Sequence, residues 1–376
     1  MSPLRRSSSC NQMRFSPLSV GFLLSVCLGS ACLSPPAARD SWNARVVCDL
    51  GIKMGGCAVG DLLPDLPGDE IAVTTGDGLV VVAWASGDGF KHEVVAGLAG
   101  EAIQCAIGEL DPTSPGAELV TVGKHTGGED EPGEGVVLLH RRREAGWEST
   151  ELLRTSALVH AVAIGDADPL HSGNELVVGG FTNQAIVLRH VGDGQIEVEA
   201  TVATSGPIKG AAVGLRGAVL AQDDGRLVEI VRHSGGFEPR LLFEGIEALA
   251  RVAATNDVVL FGGNDGRLRV WRKGAVETLL TSADRLRGAV LADLDVTRPG
   301  VEGATAGYDG LVRMVCGRDG TWVSSGGGSV LKSGFHCPTI GSDTGRLHHL
   351  AAGEVGQLGM CLVACGYSGR LLLFSR

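Results

Sequence analysis

Between Leu158 and His190 the chain alternates short apolar runs with short polar turns. His160-Ala161-Val162-Ala163-Ile164-Gly165-Asp166 is followed by Gly173-Asn174-Glu175, then Leu176-Val177-Val178, then Ala185-Ile186-Val187-Leu188. Apolar runs of this length bounded by Gly, Asn and Asp read as strands joined by turns. Versions of the block recur along the chain. Ala58-Val59-Gly60-Asp61, Ala106-Ile107-Gly108-Glu109 and Ala351-Ala352-Gly353-Glu354 match its first run closely. Ala212-Val213-Gly214, Ala253-Ala254-Thr255 and Val290-Leu291-Ala292-Asp293 are weaker copies, which makes seven.

Each copy is followed by two more apolar runs separated by a tight turn. Asp77-Gly78, Asp224-Gly225, Asp265-Gly266, Asp309-Gly310 and Ser368-Gly369 mark that turn. Such pairs suit a two-residue type I′ hairpin, in which both central residues take positive φ. A further short strand opens at Phe90, Trp147, Ile196, Phe237 and Ala275. Four strands recurring every 40 to 50 residues or so predict a β-propeller. The reading is therefore all-β, seven-bladed and single-domain over 42–376. The seventh unit stops after its third strand, Arg370 to Arg376, whereas Trp42 to Leu50 is a strand with no unit of its own. We expect the N-terminal strand to complete the last blade. No long segment repeats with a period of 3.6, so helices should be scarce.

The first residues differ from the rest. Arg5, Arg6 and Arg14 precede the apolar run Leu18 to Leu28, which is too short to span a bilayer. Residues 1–31 read as a secretory signal peptide and 32–41 as a tether. Gly29-Ser30-Ala31-Cys32 resembles the bacterial lipobox, whose cysteine carries lipid, although Gly29 stands where leucine is usual. The expectation is an exported protein, membrane-anchored through Cys32 or released into the periplasm or medium after cleavage at Ala31.

Formal net charge is −11, and the leader removes arginines but no acids. Such a surface repels phosphate backbones, which sets nucleic acid aside. Ten cysteines are present, with Cys10 and Cys27 in the leader. Cys57 and Cys105 hold the same place in successive repeats. A bridge between them suits an exported protein, but small buried thiols are the preferred reading. No Cys-x-x-Cys pair supports a structural zinc site.

The repeats resemble the FG-GAP or VCBS type of exported bacterial propellers. The likeness rests on Gly165-Asp166-Ala167-Asp168-Pro169 with Gly173-Asn174-Glu175-Leu176, and on Gly108-Glu109-Leu110-Asp111-Pro112 with Gly116-Ala117-Glu118-Leu119. Asp293-Leu294-Asp295 with Gly300-Val301-Glu302-Gly303 is a third copy. Gly262 to Trp271 also looks like a WD-repeat strand pair, without that family's Gly-His and Trp-Asp dipeptides. The resemblance implies calcium loops of the form D-x-D-x-D-G. Here Leu170 and Thr297 occupy the third acidic place, so the loops read as degenerate, with carboxylates that cap turns. No cofactor and no metal is expected.

Candidate chemistry comes from aligning the inner strands. Five residues before the Gly position stand Gly55, Ile103, His160, Lys209, Ala250, Arg287 and His348; Gln104, Arg251 and His349 lie one further on. His160, Lys209, Arg287 and His348 should point into one channel mouth and attract an anionic ligand such as a uronate or another carboxylate. Their bland use is to solvate a water-filled opening. No catalytic residue is assigned. The functional reading is a non-enzymatic recognition or scaffold propeller, a monomer that binds a partner protein or acidic glycan. The alternative is a carbon–oxygen lyase or dehydratase acting on a sugar acid at the mouth, which requires His160 and His348 close together beside an acid.

Overall fold

A computed structural model describes residues 42–114, 116–125, 133–295, 300–317 and 335–376. The leader, Cys32 and the tether lie outside the described residues, as do residues 126–132 of the acidic glycine-rich loop, Thr297 and the Ser325–Ser329 segment.

The strands form seven sheets. Blade 1 holds β2 (Met54–Gly60), β3 (Glu70–Thr75), β4 (Leu79–Ser86) and β5 (Gly89–Gly97). Blade 2 holds β6 (Ala102–Gly108) to β9 (Gly146–Thr155), and blade 3 β10 (Val159–Gly165) to β13 (Gln195–Ala203). Blade 4 runs from β14 (Ile208–Gly214) to β17 (Gly236–Glu244), and blade 5 from β18 (Leu249–Ala254) to β21 (Ala275–Thr281). In blade 6, β22 (Leu286–Ala292), β23 (Glu302–Gly307) and β24 (Leu311–Gly317) are edged by two short strands, β25 (Phe335–His336) and β26 (Thr339–Ser342). Blade 7 holds β27 (Leu347–Glu354), β28 (Met360–Gly366) and β29 (Arg370–Ser375), and its outer strand is β1 (Asn43–Asp49). No helix occurs among the described residues.

The N-terminal strand closes the ring as its spacing predicted. Ala44 pairs with Phe374, Arg45 with Leu373 and Val46 with Leu372, antiparallel. Seven apolar clusters fill the seven gaps between neighbouring blades; the one between blades 7 and 1 includes Val47 and Cys48 of β1. Each sheet thus buries both faces against its neighbours, which a lone four-stranded sheet cannot do. Burial follows this geometry. Second strands such as β3 and β11 (Glu175–Gly180) are buried throughout, whereas outer strands such as β5 are largely exposed.

The recurrent glycine has a steric cause. A Cβ on Gly60 would lie 2.5 Å from Ile107, and one on Gly108 would lie 2.6 Å from Ile164. At that end of the inner strands adjacent blades approach too closely for a side chain on one of the two partners.

The hairpin turns correct the expectation of type I′ pairs. Only Gly78, Gly225, Gly266, Gly310 and Gly369 have positive φ; the residue before each does not. Gly78 N–H donates to Thr75 O, and Gly266 N–H to Gly263 O, so each link is a three-residue loop with a single left-handed glycine. In blade 3, Asn183 (φ 55°) fills the glycine place. Consecutive positive φ occurs instead one turn further on, at Asp193-Gly194 and Lys273-Gly274.

The acidic loops are neutralised from neighbouring strands. Glu175 Oε2 accepts the N–H groups of Ala167 and Asp168, each at 2.8 Å, and Glu70, Glu118 and Glu302 staple the same loop in blades 1, 2 and 6. Asp168 caps its own turn by accepting Leu170 N–H, as an Asx turn does. Its other oxygen faces Arg232 Nε at 3.3 Å. Asp111 meets Arg141 at 3.1 Å and Asp295 meets Arg376 at 2.8 Å. Asp168, His171 and Glu199 bring ligand atoms within 4.8 Å of one another, but Arg232 also reaches Glu199 at 3.2 Å. A guanidinium there supplies the positive charge a cation would bring. Cys57 and Cys105 are buried free thiols, not a bridge.

Candidate functional site at the channel mouth

Every inner strand carries a β-bulge at one end. The register shifts between Val159 and Ala161, Ile208 and Gly210, Leu286 and Gly288, and Leu347 and His349. The residue skipped in each case is His160, Lys209, Arg287 or His348. A bulge leaves its extra residue outside the ladder and re-aims its side chain. All four side chains line one cavity of ≈ 250 Å³, together with Arg251, Arg285, Asp223, Asn264 and Tyr308. The structure brings the residues singled out by strand alignment to one cavity.

The aromatic members were not anticipated. Phe181, Asp223, Asn264, Tyr308 and Tyr367 each follow the second strand of their blade. Each places its N–H on the carbonyl of the residue before the inner strand: Phe181 on Leu158, Asp223 on Pro207, Asn264 on Ala248, Tyr308 on Arg285 and Tyr367 on Arg346. That repeated bond sets them as a rim above the bulge residues.

The cations rest on rings and neutral oxygens. Lys209 Nζ lies 4.4 Å from the centre of the Phe181 ring; the guanidinium carbons of Arg287 and Arg346 lie 4.9 and 5.1 Å from that of Tyr308. Arg287 donates to Leu286 O at 3.0 Å and to Asn264 Oδ1 at 2.6 Å. Arg251 donates to the carbonyls of Lys209 and Ala250, both at 2.9 Å. With the Gln104 amide oriented to satisfy its neighbours, its oxygen accepts from Arg251 Nη2 at 2.8 Å and its nitrogen donates to His160 O at 3.2 Å. Asp223, 4.0 Å from Lys209 Nζ, is the one acid among the described residues of the cavity wall. Lys53 is matched by Glu101 at 3.0 Å.

The imidazoles are held neutral. Burial first, then the charges of Arg251 and Lys209, push the His160 pKa well below its ordinary value. Burial and Arg251 take His348 down to about 3. Burial lowers Lys209 against the pull of Asp223, and burial with Arg287 brings Arg251 to about 9, still charged at neutral pH. Burial works to raise the Tyr308 phenol, yet its hydrogen bond with Tyr367 and the charge of Arg287 leave it below the usual value. Deeper in the channel, His349 Nδ1 accepts Cys57 N–H at 3.3 Å. Burial raises the neighbouring Cys365 thiol far above its ordinary range, which disfavours its thiolate.

The fold and the mouth together define an all-β, seven-bladed β-propeller with a cationic channel opening. No protein-family model matches the chain, and no curated protein sequence matches it. Among solved structures it is similar to the crystal structure of the WD40 β-propeller domain of Doa1, at 14% identity and a TM-score of 0.62, over 89% of this chain and 97% of that one. At that identity the likeness is one of fold.

Proposed function

We propose that this propeller is a non-enzymatic recognition protein that captures an anionic group of its partner, a protein or an acidic glycan, at the channel mouth. The observation that carries the reading is that Arg251 and Arg287 hydrogen-bond to carbonyl and amide oxygens and to no described carboxylate. Their charge is left for a ligand, inside walls of low dielectric where it counts for more than on the surface. The same charge repels a metal cation from His160 and His348. Calorimetric titration with D-glucuronate and with glucose tests it. Binding of the acid alone, lost in Arg287→Ala, supports the reading; equal binding of both sugars refutes it.

The lyase alternative needs a proton acceptor and donor beside the histidines. Both imidazoles bond to backbone carbonyls instead, and Asp223 is tied to Lys209. An ultraviolet-absorbing unsaturated product from oligouronate would establish it.

We further propose that the chain is exported and of the FG-GAP or VCBS type, with Cys32 bearing the lipid anchor and the mature protein monomeric. Support comes from the basic and apolar leader ahead of Gly29-Ser30-Ala31-Cys32. Cys32→Ala should move the protein from the membrane fraction to the soluble one, and unchanged fractionation would exclude the anchor.

A further inference from the structure

The two histidines carry information about the ligand beyond its charge. His160 Nδ1 lies 3.0 Å from Lys209 O and His348 Nδ1 lies 2.7 Å from Gly55 O. A carbonyl oxygen only accepts, so the proton of each ring is on Nδ1. Nε2 of each ring is then a lone-pair acceptor, and no described protein group hydrogen-bonds to it. Burial, aided by flanking cations, disfavours a second proton on either ring. The cavity thus offers donors from Lys209, Arg285 and Arg287, and two acceptors held by blades 3 and 7. A bare carboxylate satisfies the donors and leaves both acceptors desolvated. The rings of Phe181 and Tyr308 hold Lys209 and Arg287 at the rim. At ≈ 250 Å³ the cavity is below the usual range for drug-sized sites, roughly 300–1,000 Å³, so it suits one ring and not a chain of them.

We infer that the mouth selects a hydroxylated carboxylate, a single sugar-acid ring whose acid group sits on the cations while its hydroxyls donate to Nε2 of His160 and His348. The inference rests on the anion-capture reading and narrows it. It also favours the terminal residue of an acidic glycan over an acidic peptide, whose side chains carry no hydroxyl beside the carboxylate.

Three probes separate the two levels in calorimetric titrations at pH 7: D-glucuronate, cyclohexanecarboxylate and methyl glucoside. Cyclohexanecarboxylate should bind at least about tenfold more weakly than glucuronate, since each unmet buried acceptor costs a hydrogen bond. Methyl glucoside should not bind. His348→Leu should weaken glucuronate toward cyclohexanecarboxylate while leaving the latter nearly unchanged. Equal affinity for the two acids overturns the hydroxyl selection and leaves anion capture standing. Failure of both acids to bind overturns the two together. An acidic peptide binding more tightly than glucuronate also overturns the selection. Should His348→Leu fail to fold, nitrogen chemical shifts of the wild-type imidazoles decide the tautomer: protonation of His160 or His348 at Nε2 refutes the inference without any ligand.

Discussion

Val46 in the first strand lies directly opposite Leu372 in the last, and the residue after it, Val47, turns into the gap between blades 7 and 1. The register slips by one residue between Val46 and Cys48, so Val47 and Cys48 are both buried while Val46 is half exposed. The seam is therefore held by side-chain packing as well as by the ladder. Val47→Asp places an unpaired carboxylate beside Leu371 and Leu373. It should cost about 3 kcal/mol or more of unfolding free energy in chemical denaturation, because a buried uncompensated charge is expensive. An unchanged midpoint would mean that the ring stays shut without this contact.

The inner strands make a second, steric prediction. Gly108→Val drives a branched side chain against Ile164, whose Cγ2 would already lie 2.6 Å from the new Cβ. Overpacking of this kind costs about 1–3 kcal/mol. Melting temperature measures it, and Gly89→Ala, at a site where an added Cβ meets nothing within 4 Å, is the control.

The stapling glutamates predict a pH dependence. Burial, partly offset by two backbone N–H bonds and reinforced by nearby aspartates, raises both Glu70 and Glu175 from 4.5 to about 7. An acid whose folded pKa lies above its unfolded value binds protons more tightly when folded. Its stabilising effect is complete at acid pH and fades as pH climbs from about 4.5 to 7. The double variant Glu70→Gln, Glu175→Gln keeps an oxygen to accept the loop N–H groups and has no proton to lose. Unfolding free energy measured from pH 4.5 to 8 should fall less steeply in the variant than in the wild type, and parallel curves would contradict the assignment.

Ligand capture should lack the usual histidine step. His348 stays neutral down to about pH 3, and His160 is lowered in the same sense. Affinity for glucuronate should therefore be flat between pH 5 and 8, as no imidazole gains charge in that window. A rise in affinity centred near pH 6.5 would show that at least one ring is charging.

Much of the ring was readable because close approach imposes a residue type. Gly60, Gly108, Gly165 and Gly353 mark the crowded end of successive inner strands, and counting back from Gly165, Gly353 and the equivalent Gly214 and Ala292 located the bulge residues His160, His348, Lys209 and Arg287 at the other end. Phe181, Asp223, Tyr308 and Tyr367 stayed hidden for a reason of turn geometry. A two-residue turn centred on Asp309-Gly310 makes Tyr308 the last residue of a strand. The observed three-residue loop makes it the first residue of the turn, standing over the mouth. The arginines that neutralise Asp168 and Asp295 were equally out of reach. Arg232 comes from the neighbouring blade and Arg376 from the chain terminus, far along the sequence from the acids they meet.

The first strand of the ring finds its neighbour last. Ala44 cannot pair until Phe374 has been made, so residues 43–49 must wait, unpaired, while six complete blades and most of a seventh are assembled beside them. Contacts so distant along the chain are slow to form. Until that pairing forms, blade 7 lacks its outer strand and the packing between blades 7 and 1 is incomplete. Deletion of β29 should therefore lower accumulation in the cell, read by immunoblot, more than a far longer insertion in an outer-strand loop.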